Sequence, residues 1–312
     1  RSGDGGTAQS AGDTVTDFTD GTDSLGLDSS LTFTDLTIEQ SGSDTVIKEG
    51  SDYLATLTGI SASNITVLDF QSTATTDTTF TGTLGNDTLI GGAGGDTFNG
   101  GAGSDTLLGW GGNDTFNIRS KTGSYVDTVN GGAGTDTLDI DYSGISNLGS
   151  FTISRDSGTV TLTDSSGGAI SYDVANLENL TVNDIAYTKV GSNAYWGAAE
   201  KALYFYAING ISSSEILALS GLSASDNLTI KGTDEGDQYA NLNIDRSSQL
   251  TGNITVDLEG GNDDLYSAKL KDGDSIDMGA GNDSVSVMLT GTNGTPTISA
   301  ANISKLDGGA GI

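Results

Sequence analysis

The sequence predicts an all-β protein in which parallel β-roll or β-solenoid blocks alternate with β-rich modules, with few short helices. Two observations point there. Within GNDTLIGGAGGDTFNGGAGSDTLLGWGGNDTF (85–116), Asp87, Asp96, Asp105 and Asp114 fall nine residues apart, with glycines crowding the positions before each Asp and Leu or Phe two places after it. Elsewhere, segments such as LTFTDLTIEQSGSDTVIKEGSDYLATLTGI alternate apolar and polar residues across Gly/Ser/Asp turns, as hairpins do.

The nonapeptides run GTLGNDTLI, GGAGGDTFN, GGAGSDTLL and GWGGNDTFN from Gly82. Ile118 to Lys121 interrupt, and the phase resumes with TGSYVDTVN and GGAGTDTLD, so Asp127 and Asp136 continue the series. Six residues ending in Asp form a turn, because Gly permits positive φ and close backbone approach. Three residues of type Thr-Leu-Ile form a very short strand. Its middle side chains are Leu89, Phe98, Leu107, Phe116, Val129 and Leu138. One unit cannot bury its Leu or Phe alone, whereas stacked units can. Trp110 replaces the second Gly of its unit, with its ring expected to point outward.

A second set of strand-turn units, VDLEGGNDDL (256–265) and IDMGAGNDSV (276–285), repeats after twenty residues, and LDGGAGI (306–312) reads as the start of a third. Arg1-Ser2 followed by Gly12 to Val15 echoes Arg119-Ser120 followed by Val126 to Val129, so both ends read as cuts through repeat blocks of a longer protein. SFTISRDSGTVTLTDSSGGAISYDV is a further hairpin pattern. Asn193 to Ile208 has spacing compatible with a helix, and Ser212 with Glu215 suggests a capping box opening another. The expected organisation is a β module over 1–80, a roll over 81–140, a β-rich module with one or two short helices over 141–250, and a degenerate solenoid over 251–312 and beyond.

The chain carries 42 acidic against 12 basic residues, a formal net charge of −30, and its acids are 35 Asp and 7 Glu. Solubility alone would be served as well by Glu. Asp is the acid suited to turns and short oxygen-ligand loops. Such a surface disfavours nucleic acid and anionic membranes and attracts cations. Absence of Cys and His excludes disulfides, Cys/His zinc sites and Ser-His or Cys-His catalysis within this chain. No apolar run reaches the length of a membrane-spanning helix.

The G-G-x-G-x-D-x-U-x pattern over Gly82 to Asp139 resembles the RTX, or hemolysin-type calcium-binding, family. The resemblance implies a roll loaded with several Ca2+ ions, each held between stacked turns i and i+2 by carbonyls and by the Asp of each. Asp87 would then pair with Asp105 and Asp96 with Asp114, and Gly91, Ala93, Gly100, Ala102 and Gly109 match carbonyl-donating positions. Asp127 and Asp136 extend the set, and Asp263 and Asp283 match its core in the later units. Asp17, Asp20 and Asp23 either cap an upstream block or form turns. Calcium takes 6–8 oxygen ligands, carbonyls included. Carboxylates about 5 Å apart repel by roughly 3 kcal/mol at an effective dielectric of 20. A divalent ion reverses that sign, so folding should be coupled to binding.

No HExxH, nucleophile elbow or phosphate loop is present, and the chain reads as no enzyme. The later repeats are similar to those of RTX surface-layer proteins. The expected function is therefore an extracellular, calcium-dependent structural element of a bacterial surface layer or fibre, secreted and then folded by calcium. The alternative is the secretion and folding tail of a type I-secreted enzyme or toxin, or an adhesin segment. The expected partners are copies of the chain itself, with cell-surface polysaccharide second. Tyr195, Trp196, Tyr204 and Tyr206 read as core before they read as a carbohydrate platform.

Overall fold

A computed structural model describes residues 8–9, 12–27, 31–119, 123–156, 158–191, 194–205, 213–233, 238–240, 249–271, 273–289, 297–299 and 303–307. The chain divides into two compact units, 1–121 with 125–138, and 122–124 with 139–312. Both are built of β-strands, as expected.

The first unit opens with an antiparallel meander. Leu36–Ser41, Asp44–Glu49 and Asp52–Leu57 pair in sequence, with Ile38 opposite Ile47, and Asp13–Val15 adds in parallel to the third. The first hairpin is tight because Gly42 takes φ +66°. Leu25–Leu27 pairs in parallel with Phe70–Ser72. Phe18, Leu27, Ile47, Leu57 and Phe70 form the core of this module.

The roll follows. Thr88–Ile90, Thr106–Leu108 and Val126–Asn130 stack in parallel in one sheet. Thr79–Thr81, Thr97–Asn99 and Thr115–Arg119 stack in the other, with Thr137–Asp141 next in order. Leu89 lies opposite Leu107, which lies opposite Val129, and Phe80, Phe98 and Phe116 are likewise aligned. Two nonapeptides therefore make one coil. The phenyl rings stack face to face, with centroids 5.1 and 4.8 Å apart. The interruption at Ile118 partly lengthens a strand, because Ile118 is buried within Thr115–Arg119.

The ninth residue of each unit decides what covers the roll. Ile90 and Leu108 are buried in the core of the preceding module, whereas Asn99 and Asn117 on the other sheet are half-exposed and hydrogen-bond to each other at 3.0 Å. Trp110 departs from its expectation. Its backbone is left-handed at φ +71°, and its half-buried ring packs against that same core rather than standing free.

The second unit also begins with antiparallel hairpins: Phe151–Asp156, Thr159–Asp164 and Ala169–Asp173, then Asn179–Val182, Ile185–Val190, Ala194–Gly197 and Ala202–Phe205. The helix expected over 193–208 is not formed by the described residues. Tyr195 pairs with Tyr204 and Trp196 with Leu203 across a hairpin instead. Aromatic residues are favoured on a pleated surface, and their cross-strand pairing outweighs the helix preference of the Ala content. Tyr195, Trp196 and Tyr204 are buried, Trp196 at 1 % exposure. The second expected helix forms over Ser213–Leu217. Arg1-Ser2, Ser120 to Thr122, Asn193, Tyr206 to Ile208, Ser212 and Gly308 to Ile312 lie outside the described residues.

Parallel winding then resumes. Ala202–Phe205, Leu228–Lys231, Ile254–Asp257, Ser275–Asp277 and Thr297–Ser299 form one stack. Gln238–Ala240, Asp264–Leu270, Asp283–Leu289 and Ile303–Asp307 form the other. Val256 lies opposite Ile276 and Leu265 opposite Val285, the twenty-residue period seen in the sequence. Leu228, Val256, Leu265, Ile276 and Val285 fill the interior beside Trp196.

Candidate metal centre

Each turn of the first roll is shaped by its glycines. Gly101 and Gly103 take φ of +93° and +98°, Gly132 and Gly134 +93° and +153°. Positions two and four of these two units are thus at positive φ, where a side chain is disfavoured. Position one has a different reason to be Gly. A Cβ on Gly100 would lie 2.4 Å from Asp105 Oδ2, and one on Gly109 only 2.2 Å from Asp114 Oδ2. The Asp carboxylate occupies the space a side chain would need.

The carboxylates form two columns of stacked turns. The Asp87 amide donates to Asp105 Oδ1 (3.1 Å) and the Asp105 amide to Asp127 Oδ1 (3.0 Å). In the other column Asp96 donates to Asp114 (2.7 Å) and Asp114 to Asp136 (2.8 Å). One oxygen of each acceptor is thereby held by the backbone one coil earlier. Asp96, Asp105, Asp114, Asp127 and Asp136 are at most 1 % exposed, and Asp87, nearer the open end, is half-buried. Oδ2 of Asp114 is buried with no hydrogen-bond partner. Burial, followed by the neighbouring Asp136 and Asp96 charges, outweighs the Asp96 amide and pushes the Asp114 carboxyl up to about 7.

A buried, orphaned carboxylate oxygen calls for a cation. The residues present fit one. A Cβ built on Gly82 would lie 2.1 Å from the Gly100 carbonyl oxygen and 2.8 Å from Asp87 Oδ2. On Gly91 the same point meets Gly109 O at 2.5 Å and Asp96 Oδ2 at 2.7 Å. On Gly109 it meets Gly131 O at 2.4 Å and Asp114 Oδ2 at 2.2 Å. In every case a carboxylate oxygen converges with a carbonyl oxygen from the next coil. Among the described residues no three carboxylates gather at one point, so the donor set mixes carboxylate with carbonyl. All-oxygen sets of that kind suit a hard cation such as calcium.

Of the expected carbonyl donors, Gly100 and Gly109 are thus placed beside carboxylates. The Gly91 carbonyl accepts from the Ser72 amide at 2.8 Å, and Ala93 and Ala102 join the turn ladder through amides donated to Ala74 O and Thr83 O. Asp127 and Asp136 stand in the columns with the rest. Asp263 and Asp283 are brought together in the second unit, where the Asp263 amide donates to Asp283 Oδ1 at 3.1 Å and both acids are buried. The bridge between Gly260 and Ala280 repeats that between Gly111 and Ala133. Asp17, Asp20 and Asp23 are exposed, and Asp23 closes a local turn onto the Thr19 amide.

Sequence reasoning missed two features. A parallel ladder runs through the fifth position of the units: Asp77 Oδ1 accepts from Gly95, Asn86 Oδ1 from Ser104 and Asn113 Oδ1 from Thr135, each at 2.9 Å. The recurrence of Asn or Asp at that position was its signal. Asp274, 2 % exposed, joins Ile254 to Lys271 through their amides and had no repeat partner to mark it.

Stacked Gly/Asp turns with paired carboxylate and carbonyl oxygens define a calcium-binding parallel β-roll. Residues 81–116 and 121–139 match the RTX calcium-binding nonapeptide repeat family in 4 copies, so the chain carries an RTX repeat block and that block binds calcium. The repeat family is generally structural and calcium-binding rather than catalytic. No curated protein matches the chain.

Proposed function

We propose that the chain is part of an extracellular structural protein, a bacterial surface layer or fibre, in which calcium staples the roll and drives folding and assembly after secretion. The observation that carries the calcium-folding reading is the buried column of Asp96, Asp114 and Asp136, whose stacked negative charge needs a divalent ion to become cohesive. Proteins with RTX repeats are typically exported by type I systems, which supports secretion. Support for the structural role comes from the architecture, because each unit joins an antiparallel module to a parallel winding. Such alternation suits an extended array better than a single terminal tail. The partners are further copies of the chain, and cell-surface polysaccharide is a second candidate.

The test is a calcium titration of the chelator-stripped protein, followed by circular dichroism and by electron microscopy at the end points. β signal appearing together with ordered arrays or fibres supports the assembly reading. Folding without assembly favours the other reading, a secretion and folding tail or an adhesin segment. A chain indifferent to calcium overturns the account of the Asp columns.

A further inference from the structure

We infer that Thr73–Thr81 is a pre-formed first half-coil that closes without an ion and templates calcium-driven folding of the roll. The inference rests on the calcium-folding reading above.

Nothing in TATTDTTFT matches the Gly/Asp repeat, and the family match begins only at residue 81. The structure nevertheless lays this segment on the next coil with the spacing of a repeat. Thr79, Phe80 and Thr81 lie opposite Thr97, Phe98 and Asn99, eighteen residues on. The Ala93 amide donates to Ala74 O and the Thr97 amide to Thr78 O. Gly95 donates to Asp77 Oδ1 at the place where Ser104 donates to Asn86. The Thr78 amide donates to Asp96 Oδ1 at 2.9 Å, the bond that Asp96 itself makes to Asp114 one coil later. Thr78 therefore stands in the Asp position of a hidden repeat.

That replacement changes the electrostatics of the first interface. Asp96 faces a neutral hydroxyl-bearing residue on this side instead of another carboxylate. Both its oxygens are met by amides, Oδ1 by Thr78 and Oδ2 by Gly92, each at 2.9 Å. At the next interface the buried Asp114 Oδ2 has no such partner. The first interface is satisfied by hydrogen bonds alone, whereas the next leaves one buried Asp114 oxygen for a cation to meet.

The segment is also anchored from behind. It continues directly from Phe70–Ser72, with Phe70 2 % exposed in the module core. The Ser72 amide donates to Gly91 O and the Thr73 amide to Leu27 O. Phe80 begins the ring stack that runs through Phe98 to Phe116. A stacked-repeat body folds by nucleation followed by nearest-neighbour propagation, and the nucleus is the costly step. A half-coil held by a hydrophobic module and needing no ion supplies that nucleus at the amino-terminal end of the block.

The experiment is amide hydrogen exchange on the whole chain, first in chelator and then at stepwise increasing calcium. The expected result is protection of Thr79–Thr81 and of Asp44–Leu57 in chelator, with protection spreading through Thr97–Asn99 and Thr106–Leu108 to Val126–Asn130 as calcium rises. Phe80→Ala should raise the calcium midpoint of roll folding roughly three- to ten-fold, the range expected for loss of one aromatic pair. Calcium-dependent folding in which Thr79–Thr81 orders with or after the last coil overturns the template and leaves the calcium reading standing. Exchange that calcium does not alter anywhere overturns both. A fold in Phe80→Ala with an unchanged midpoint also counts against the template.

Discussion

The backbone amide of Asp96 donates to Asp114 Oδ1 at 2.7 Å across one coil, so a buried carboxylate is held beside the backbone of another acid by the chain itself. The hydrogen bond fixes the spacing of the column and commits its charge to the interior. That geometry leaves the Asp114 Oδ2 buried without a hydrogen bond, which is the ground on which calcium-dependent folding is proposed.

Removing one carboxylate from the column should weaken calcium binding without weakening the ion-free chain. Asp114→Asn keeps an oxygen for the Asp96 amide while deleting the charge that burial penalises. The expected result is a rise of about ten-fold or more in the calcium midpoint, corresponding to roughly 1.4 kcal/mol or more. Asp17→Asn, at an exposed position, should leave the midpoint within about two-fold. Isothermal titration calorimetry on the two variants makes the comparison, and equal effects would refute a special role for Asp114.

The ion-free fold should be more stable in mild acid than at neutral pH. Asp114 titrates at about 7 in the fold against an ordinary 3.8, so the folded chain binds more protons between those values. Its stability then falls as pH rises from about 4 through 7. Calcium must displace that proton, so its affinity should rise with pH over the same window. Denaturant unfolding in chelator at pH 5.5 and 8 reads the first effect, and proton release on calcium addition at pH 6.5 reads the second. Greater ion-free stability at pH 8 would contradict the argument.

Gly109→Ala should damage the roll although alanine is only one methyl larger. Its Cβ would meet Asp114 Oδ2 at 2.2 Å and Gly131 O at 2.4 Å, the two oxygens of the proposed cation cradle. The expected cost is about 1–3 kcal/mol of stability in saturating calcium, with a lower ion count by equilibrium dialysis. Undiminished ion binding would show that the carboxylate-carbonyl cradle is not the site.

Leu108→Ala should destabilise the amino-terminal module and the roll together. Leu108 is 3 % exposed and sits in the cluster containing Ile47, Leu57 and Phe70. The expected loss is about 2–5 kcal/mol, read by thermal unfolding with calcium present. Loss confined to a roll signal, with the module melting unchanged, would contradict shared packing.

The nine-residue Asp series and the Leu or Phe two places later were legible because a solenoid repeats its constraints along the chain. One unit's needs, Gly for a left-handed turn and Asp for an oxygen donor, recur at a fixed spacing. The pairing of Asp96 with Asp114 was what the resemblance to the RTX family implied for residues at that spacing. Thr73–Thr81 was not legible, because hydrogen bonds to Asp96 and Gly95 replace the Gly/Asp signature there. The hairpin of Tyr195 and Tyr204 was misread as helix because its Ala spacing fits both periods, and cross-strand packing decided between them.

By itself the sequence determined the all-β class, the repeat block, its hard-oxygen donors and the absence of disulfide and histidine chemistry, since composition and period are local properties. Only the tertiary structure decided that Ile90 and Leu108 face a neighbouring core, that Trp110 packs on the same core, and that Asp114 Oδ2 is buried without a hydrogen bond. Those outcomes depend on which surfaces meet after the chain winds, and burial is a relation between distant residues that no single window of the chain contains.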